Sequence, residues 1–217
     1  MPEPFDVVLL DLYDTIVWSE WGKLRDLIAA RLGLETSQLT RAFENTRPAR
    51  GVGTHPDAEG DVAAVLVAAG VDPDPVLIEE LVDLERTELD HGVHVYEDVY
   101  STLRELRSRG VKTGLVSNCS HSTRPVVDRL GLEEAFDEVF LSYEVGSMKP
   151  DAAIYRAALE RCDGVPAARV VFVDDQPAYC DGGAAVGFAT RLIIRPNEDV
   201  PADTHGHQVE TELAPLL

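Results

Sequence analysis

Two short apolar runs, each ending in aspartate, constrain this chain most. Phe5 to Leu10 (FDVVLL) leads into Asp11, and Val170 to Val173 (VVFV) leads into Asp174 and Asp175. Near-continuous apolar character without alternation suits a parallel strand covered on both faces. Val111 to Ser117 (VKTGLVS) and Thr190 to Ile194 (TRLII) read the same way, and Val139 to Ser142 adds another. Helical stretches separate them: Val99 to Arg109 before Gly110, Ser122 to Leu130 before Gly131, Asp151 to Arg161 after Pro150, and Pro177 to Val186 before Gly187. Glycine just past a helix relieves the left-handed turn that ends it. Strand and helix alternating over short links predict an α/β fold, a doubly wound, Rossmann-like parallel sheet.

From Val17 to Tyr96 the rhythm changes. Trp21 to Leu32, Ser37 to Asn45, Asp61 to Ala69 and Pro75 to Asp90 read as helices, with no convincing strand between them. Ligands of doubly wound sheets bind at the carboxyl ends of the strands, so a helical insertion after the first strand is placed to cover them. The expected organisation is an α/β core from residues 1–16 and 97–217, with a helical cap at 17–96. Within the cap, Val62, Val65, Leu66 and Ala69 form an apolar stripe, and Trp18 and Trp21 are expected to pack in the cap or its hinge. The polar, Pro-containing tail after Pro196 reads as loop.

Charge narrows the partners. Asp plus Glu number 39 against 19 Lys plus Arg, a formal net charge of −20. Such a surface repels phosphate backbones and anionic lipid, so no nucleic acid and no membrane are expected as partners. The longest uncharged apolar run, Val62 to Val71, is about half of a bilayer span. The opening MPEPFD has neither the basic nor the apolar region of a signal peptide. Cys119, Cys162 and Cys180 form no CxxC pair and are expected to be small buried hydrophobes in a reducing, cytoplasmic setting. Oligomeric state is not legible.

The chemistry gathers at strand ends. Asp11, in DLYDT, and Asp174 with Asp175 would meet in one crevice, where neighbouring carboxylates repel. A divalent cation would offset that repulsion, and hard Mg²⁺ prefers oxygen ligands together with substrate phosphate. The bland alternative is that each Asp caps the helix after it. Ser117 and Asn118 end another strand and offer a hydroxyl and turn amides to an anion. Lys149, in MKPD, places a cation near a helix start. His121 sits close after Ser117 and could protonate a leaving group, though a bystander role is the simpler expectation. The stretch TRPARGVGTH, with Arg47, Arg50 and His55, reads as a solvated loop and is the first place to look for substrate contact.

Taken in order, DLYDT, VSN, MKPD and VFVDD resemble the four motifs of the haloacid dehalogenase-like hydrolase superfamily, in the branch with a C1 helical cap. The resemblance implies an Mg²⁺-dependent phosphatase acting on a small phosphorylated molecule through an aspartyl-phosphate. It implies Asp11 as nucleophile, Asp175 with Asp11 and the main-chain carbonyl of Tyr13 around the metal, and Asp174 behind them. Ser117, the Asn118 amide and Lys149 would hold phosphoryl oxygens.

One position departs from the phosphatase pattern. Two residues after the nucleophile these phosphatases carry a second Asp as general acid/base, and here stands Tyr13. Asp14, one step later, is expected to point elsewhere on a tight turn. A tyrosine hydroxyl with a pKa near 10 is a poor base at neutral pH. Three readings follow: a phosphatase favouring leaving groups that need no proton, a 2-haloacid dehalogenase, whose branch resembles this chain in its Tyr, or a non-catalytic member. VFVDD speaks against the dehalogenase, which carries Ser and Asn near there and needs no metal.

Overall fold

A computed structural model describes residues 5–196 and 200–217. The chain runs β1 (Val7–Leu10), β2 (Val17–Ser19), α1 (Trp21–Leu32), α2 (Thr36–Gly51), α3 (Ala58–Ala69), α4 (Pro75–Gly92) and β3 (Val93–Val95). It continues with α5 (Val99–Ser108), β4 (Lys112–Ser117), α6 (Thr123–Arg129), α7 (Leu132–Ala135), β5 (Glu138–Leu141), α8 (Ser142–Val145) and α9 (Ala152–Glu160). β6 (Val170–Asp174), α10 (Pro177–Ala185), β7 (Ala189–Ile193) and β8 (Gln208–Glu210) complete it.

Six strands form one parallel sheet in the order β5-β4-β1-β6-β7-β8. Every residue of β1 is buried, as expected of a central strand covered on both faces. Its side chains alternate: Val8 and Leu10 join one core, Val7 and Leu9 the other. After β1 the chain builds outward through β4 and β5, then crosses back to β6 on the opposite side of β1. The order therefore reverses at β1, and a crevice opens at the carboxyl ends there. In register, Leu10 pairs with Leu115 of β4 and with Val173 of β6. The next residues, Asp11 and Asp174, are thus brought side by side.

Helices α1 to α4 follow one another between β2 and β3, which pair as an antiparallel ribbon. Leu24, Ile28, Leu39, Val65, Leu66, Leu81 and Leu89 from these helices are buried in the same cluster as Val8 and Leu10. Val65, Leu66 and Ala69 are buried as the stripe predicts. The ribbon itself is invisible in the sequence, because three-residue strands show no period.

Two expectations are corrected. The stretch 46–55 is not a loop throughout: α2 continues through Pro48 to Gly51. Pro48 withdraws one backbone donor, but it and Glu44, whose carbonyl loses that donor, are both exposed to water. Arg50 fastens the last turn, donating from Nε to Thr46 Oγ1 (3.0 Å) and from Nη2 to the Phe43 carbonyl (3.0 Å). The tail is not all loop either, since β8 adds to β7. His207 anchors it, with Nδ1 2.9 Å from Thr190 Oγ1 and Nε2 2.9 Å from Asp181 Oδ1. The readings of the first four residues and of 197–199 lie outside the described residues. All three cysteines are free and buried. Among the described residues no helix is long and apolar enough to cross a membrane.

Candidate active site

A cleft of about 390 Å³ lies over the carboxyl end of β1. Asp11, Tyr13, Asp14, Asn118, Lys149 and Asp175 line its sheet side, and Trp21, Phe43, Arg47, Arg50 and Gly51 its helical side. The Asp11 amide donates to the Val173 carbonyl (3.0 Å), which prolongs the strand pairing by one step and fixes the direction of Asp11.

Asp11, Asp174 and Asp175 each offer a carboxylate oxygen, and these atoms lie within 4.8 Å of one another. Lys149, whose side chain is fully buried, joins two of them. Its Nζ donates to Asp11 Oδ1 (2.5 Å) and to Asp174 Oδ2 (2.6 Å). Burial alone pulls the pKa of this lysine down, but the charges of Asp11 and Asp174 overcome it and hold the ammonium form. Asp174 is entirely enclosed, and burial drives its carboxyl well above the usual range despite Lys149. Its other oxygen accepts from the Gln176 amide (2.8 Å). Burial, followed by the charge on Asp11, pushes Asp175 up to about 7. Three carboxylates against one ammonium leave a site hungry for positive charge.

Asn118 plays a part the sequence did not suggest. Its side chain clamps the main chain of Lys149, with Nδ2 donating to the Lys149 carbonyl (2.8 Å) and Oδ1 accepting from the Lys149 amide (2.7 Å). Ser117 does not line the cleft. Its hydroxyl is buried and has no hydrogen-bond partner of good geometry among the described residues. Cys119 lies beside it, its thiol pushed up to about 12 by burial.

Tyr13 lines the cleft edge-on to Trp21, ring centroids 6.1 Å apart. Its hydroxyl lies 3.4 Å from Thr123 Oγ1, and burial raises its pKa beyond the ordinary tyrosine value. Asp14 differs from expectation: it faces the cleft. At φ 58° its backbone is left-handed, its amide donating to the Val17 carbonyl (2.7 Å), and its carboxylate is near enough to act on Asp175. With its backbone in the left-handed region, the turn directs this side chain to the cleft rather than away from it. His121 is outside the cleft lining, with Nδ1 2.8 Å from Asp61 Oδ2. Trp18 stacks on His94 across the β2–β3 ribbon (4.3 Å), while Trp21 reaches the cleft itself. Gln176 and Tyr179 also line the cleft, and no motif in the sequence marks them. They sit one and four residues after Asp175, so their placement at the head of the next helix was the available signal.

A model of the haloacid dehalogenase-like hydrolase family matches residues 5–187. The chain belongs to this family. A haloacid dehalogenase-like hydrolase domain-containing protein 3 of Mus musculus is 37% identical over 99 residues, 46% of this chain and 39% of that protein. The phosphatase MT3486 of Mycobacterium tuberculosis is 31% identical over 122 residues, 55% of this chain and 54% of that one. The (S)-2-haloacid dehalogenase 1 of Pseudomonas sp. strain CBS-3 is 34% identical over 122 residues, 55% of this chain and 53% of that one. The matches thus span about half or less of these relatives. A solved family enzyme from Bacteroides thetaiotaomicron shares the fold, with a TM-score of 0.72 at 17% identity, over 92% of this chain and 97% of that one. This haloacid dehalogenase-like hydrolase therefore has relatives named for both phosphate and carbon–halogen chemistry.

Proposed function

We propose that this hydrolase cleaves small phosphomonoesters with Asp11 as nucleophile and Mg²⁺ as cofactor. The observation that carries the reading is the group of Asp11, Asp174 and Asp175 with, among the described residues, only Lys149 ion-paired to it. The donors are all oxygen and the charge deficit is two, which fits a hard divalent cation. Asp11, Asp175 and the Tyr13 carbonyl would hold it, with Asp174 behind them. When bound, the ion would neutralise charge between the carboxylates and the phosphoryl oxygens.

The residues divide the remaining work. An Asp11 carboxylate oxygen attacks phosphorus, and the phosphorus–oxygen ester bond breaks with its electrons leaving on the departing oxygen. Water then attacks the aspartyl-phosphate and releases inorganic phosphate and the free carboxylate. Lys149 keeps its protons throughout, positions Asp11 and offsets charge at the phosphoryl group. Tyr13 gives no proton near neutral pH, so the reading favours leaving groups that depart as stable anions, aryl or acyl phosphates. General acid help is typically worth about 10²–10⁴-fold, which sets the expected handicap on alkyl phosphates. Helices α1 to α4 act as the cap, and Asn118 fixes the loop that carries Lys149 while Ser117 ends the strand beneath it. We place the protein in the cytoplasm.

The test is aryl phosphate turnover with Mg²⁺, compared with Asp11→Asn and with chelator. Loss of turnover in both supports the mechanism, and an Asp11→Asn variant as fast as the parent removes it. Tyr13 and the Pseudomonas relative favour a second reading, 2-haloacid dehalogenation, in which the departing halide needs no proton. Halide release from 2-chloropropionate without metal would favour that reading over ours.

A further inference from the structure

We propose that Arg47 and Arg50 form a second anion site on the helical wall of the cleft, so that the substrate is a phosphomonoester whose leaving group carries a carboxylate or a second phosphate. This rests on the phosphatase reading and deepens it.

Charge is segregated across the cleft. Its acids, Asp11, Asp14 and Asp175, come from the sheet side, whereas the helical side supplies Trp21, Phe43, Gly51 and two arginines, and no acid. In a chain of net charge −20 this wall is the exception. Neither Arg47 nor Arg50 forms an ion pair within 4.0 Å among the described residues. Arg47 and Arg50 are three apart on α2 and share its face with Phe43.

Both guanidiniums are held with donors to spare. Arg50 lies over the Phe43 ring (5.1 Å) and spends Nε on Thr46 and Nη2 on the Phe43 carbonyl. Its Nη1 donates to nothing among the described residues. Glu85 and Asp61 lie behind it, yet neither takes a hydrogen bond from it: burial drives the Glu85 carboxyl upward, and Asp61 Oδ2 accepts from His121. Arg47 spends Nη2 on Tyr179 across the cleft (3.1 Å), leaving Nε and Nη1.

The wall is also fixed in place. A Cβ at Gly51 would collide with the Met148 thioether, and one at Gly53 with the Tyr143 carbonyl. The end of α2 therefore rests directly on the loop that leads to Lys149. A volume of about 390 Å³ exceeds what a bare phosphate needs and leaves space between the Asp11 floor and the arginines for a leaving group.

The experiment compares phenyl phosphate, 4-carbamoylphenyl phosphate, 4-carboxyphenyl phosphate and 1,4-phenylene bisphosphate on the full chain with Mg²⁺. The carbamoyl ester matches the carboxylate in shape without its charge. We expect kcat/KM to favour an ester with a second anionic group by about 10- to 100-fold, mostly through KM, the range for charge-assisted hydrogen bonds. Whichever of the two anionic esters gains identifies carboxylate or phosphate as the second group. Arg47→Gln and Arg50→Gln should each shrink the preference about tenfold, and Arg50→Lys should restore part of it. Arg47 is exposed, so its variant keeps the test alive if Arg50→Gln folds poorly. Equal kcat/KM for the carboxy and carbamoyl esters, with neither bisphosphate nor carboxylate preferred, overturns the anion site and leaves the phosphatase reading standing. A preference untouched by the arginine variants overturns their assignment. No turnover of any ester overturns both readings together.

Discussion

Lys149→Met tests the electrostatic heart of the site. The lysine side chain is fully buried and bridges Asp11 at 2.5 Å and Asp174 at 2.6 Å, with Asp174 equally enclosed. Removing one partner of a buried pair leaves an uncompensated charge and costs about 3–5 kcal/mol. With an m-value of about 3 kcal/mol/M for urea, the midpoint should fall by about 1–2 M. The measurement is urea unfolding by circular dichroism at pH 7 in chelator, since an added divalent ion would replace the lost charge. Adding Asp174→Asn supplies the decisive arm. Asn keeps an oxygen for the Gln176 amide, now 2.8 Å away, but carries no charge. The double variant should therefore recover about 2–3 kcal/mol relative to Lys149→Met alone. A single variant within 1 kcal/mol of the parent, or a double variant less stable than the single, would refute the argument that this lysine is held by charge balance.

Two further substitutions probe the contacts that set the cleft. Gly53→Ala places a side chain at φ 66° and drives its Cβ into the Tyr143 carbonyl, so it should cost about 2 kcal/mol or more in unfolding free energy; a loss under 0.5 kcal/mol would contradict the tight docking of α2. Glu85 is buried and its carboxyl is raised above the ordinary 4.5 by that burial. The folded state then binds the Glu85 proton more tightly than the unfolded state, so stability is present in full below 4.5 and declines as pH rises through the folded value. Glu85→Gln should remove this decline and gain on the parent between pH 5 and pH 8 in urea midpoints. A difference between the two proteins that does not change with pH would sink the assignment.

What the sequence revealed follows from how local each signal is. Asp11, Asp174 and Asp175 were legible because a buried parallel strand is an unbroken apolar run, and the first charge after it marks the strand's end. Lys149 has no such marker, since a lysine before proline is ordinary surface loop, and only the four motifs in order lent it weight. Its two carboxylate partners lie 138 and 25 residues away, a distance no local pattern reports. Asn118 was legible as a turn residue but not as a clamp, because its work is done by side-chain bonds to a loop 31 residues on.

The misreadings share a cause. Proline, arginine and glycine together in TRPARG read as loop, because propensity counts residues one by one. The helix persists because Arg50 returns hydrogen bonds to Thr46 and Phe43 and because the end of α2 is pressed onto the Met148 loop. The direction of Asp14 is hidden for the same reason. Which way a side chain leaves a tight turn depends on the sign of φ, and here the Val17 carbonyl and the adjoining ribbon impose φ 58° on a residue that is not glycine. Both errors fall on the cleft, at a helix end and a turn that tertiary contacts fix against local preference. Folded conformations that contradict propensity cost stability locally and must be held by such contacts, and proteins keep these violations mainly at functional sites. The two exceptions place an acid on the cleft floor and guanidiniums on its opposite wall, so the charge segregation of the cleft arises where the sequence is hardest to read.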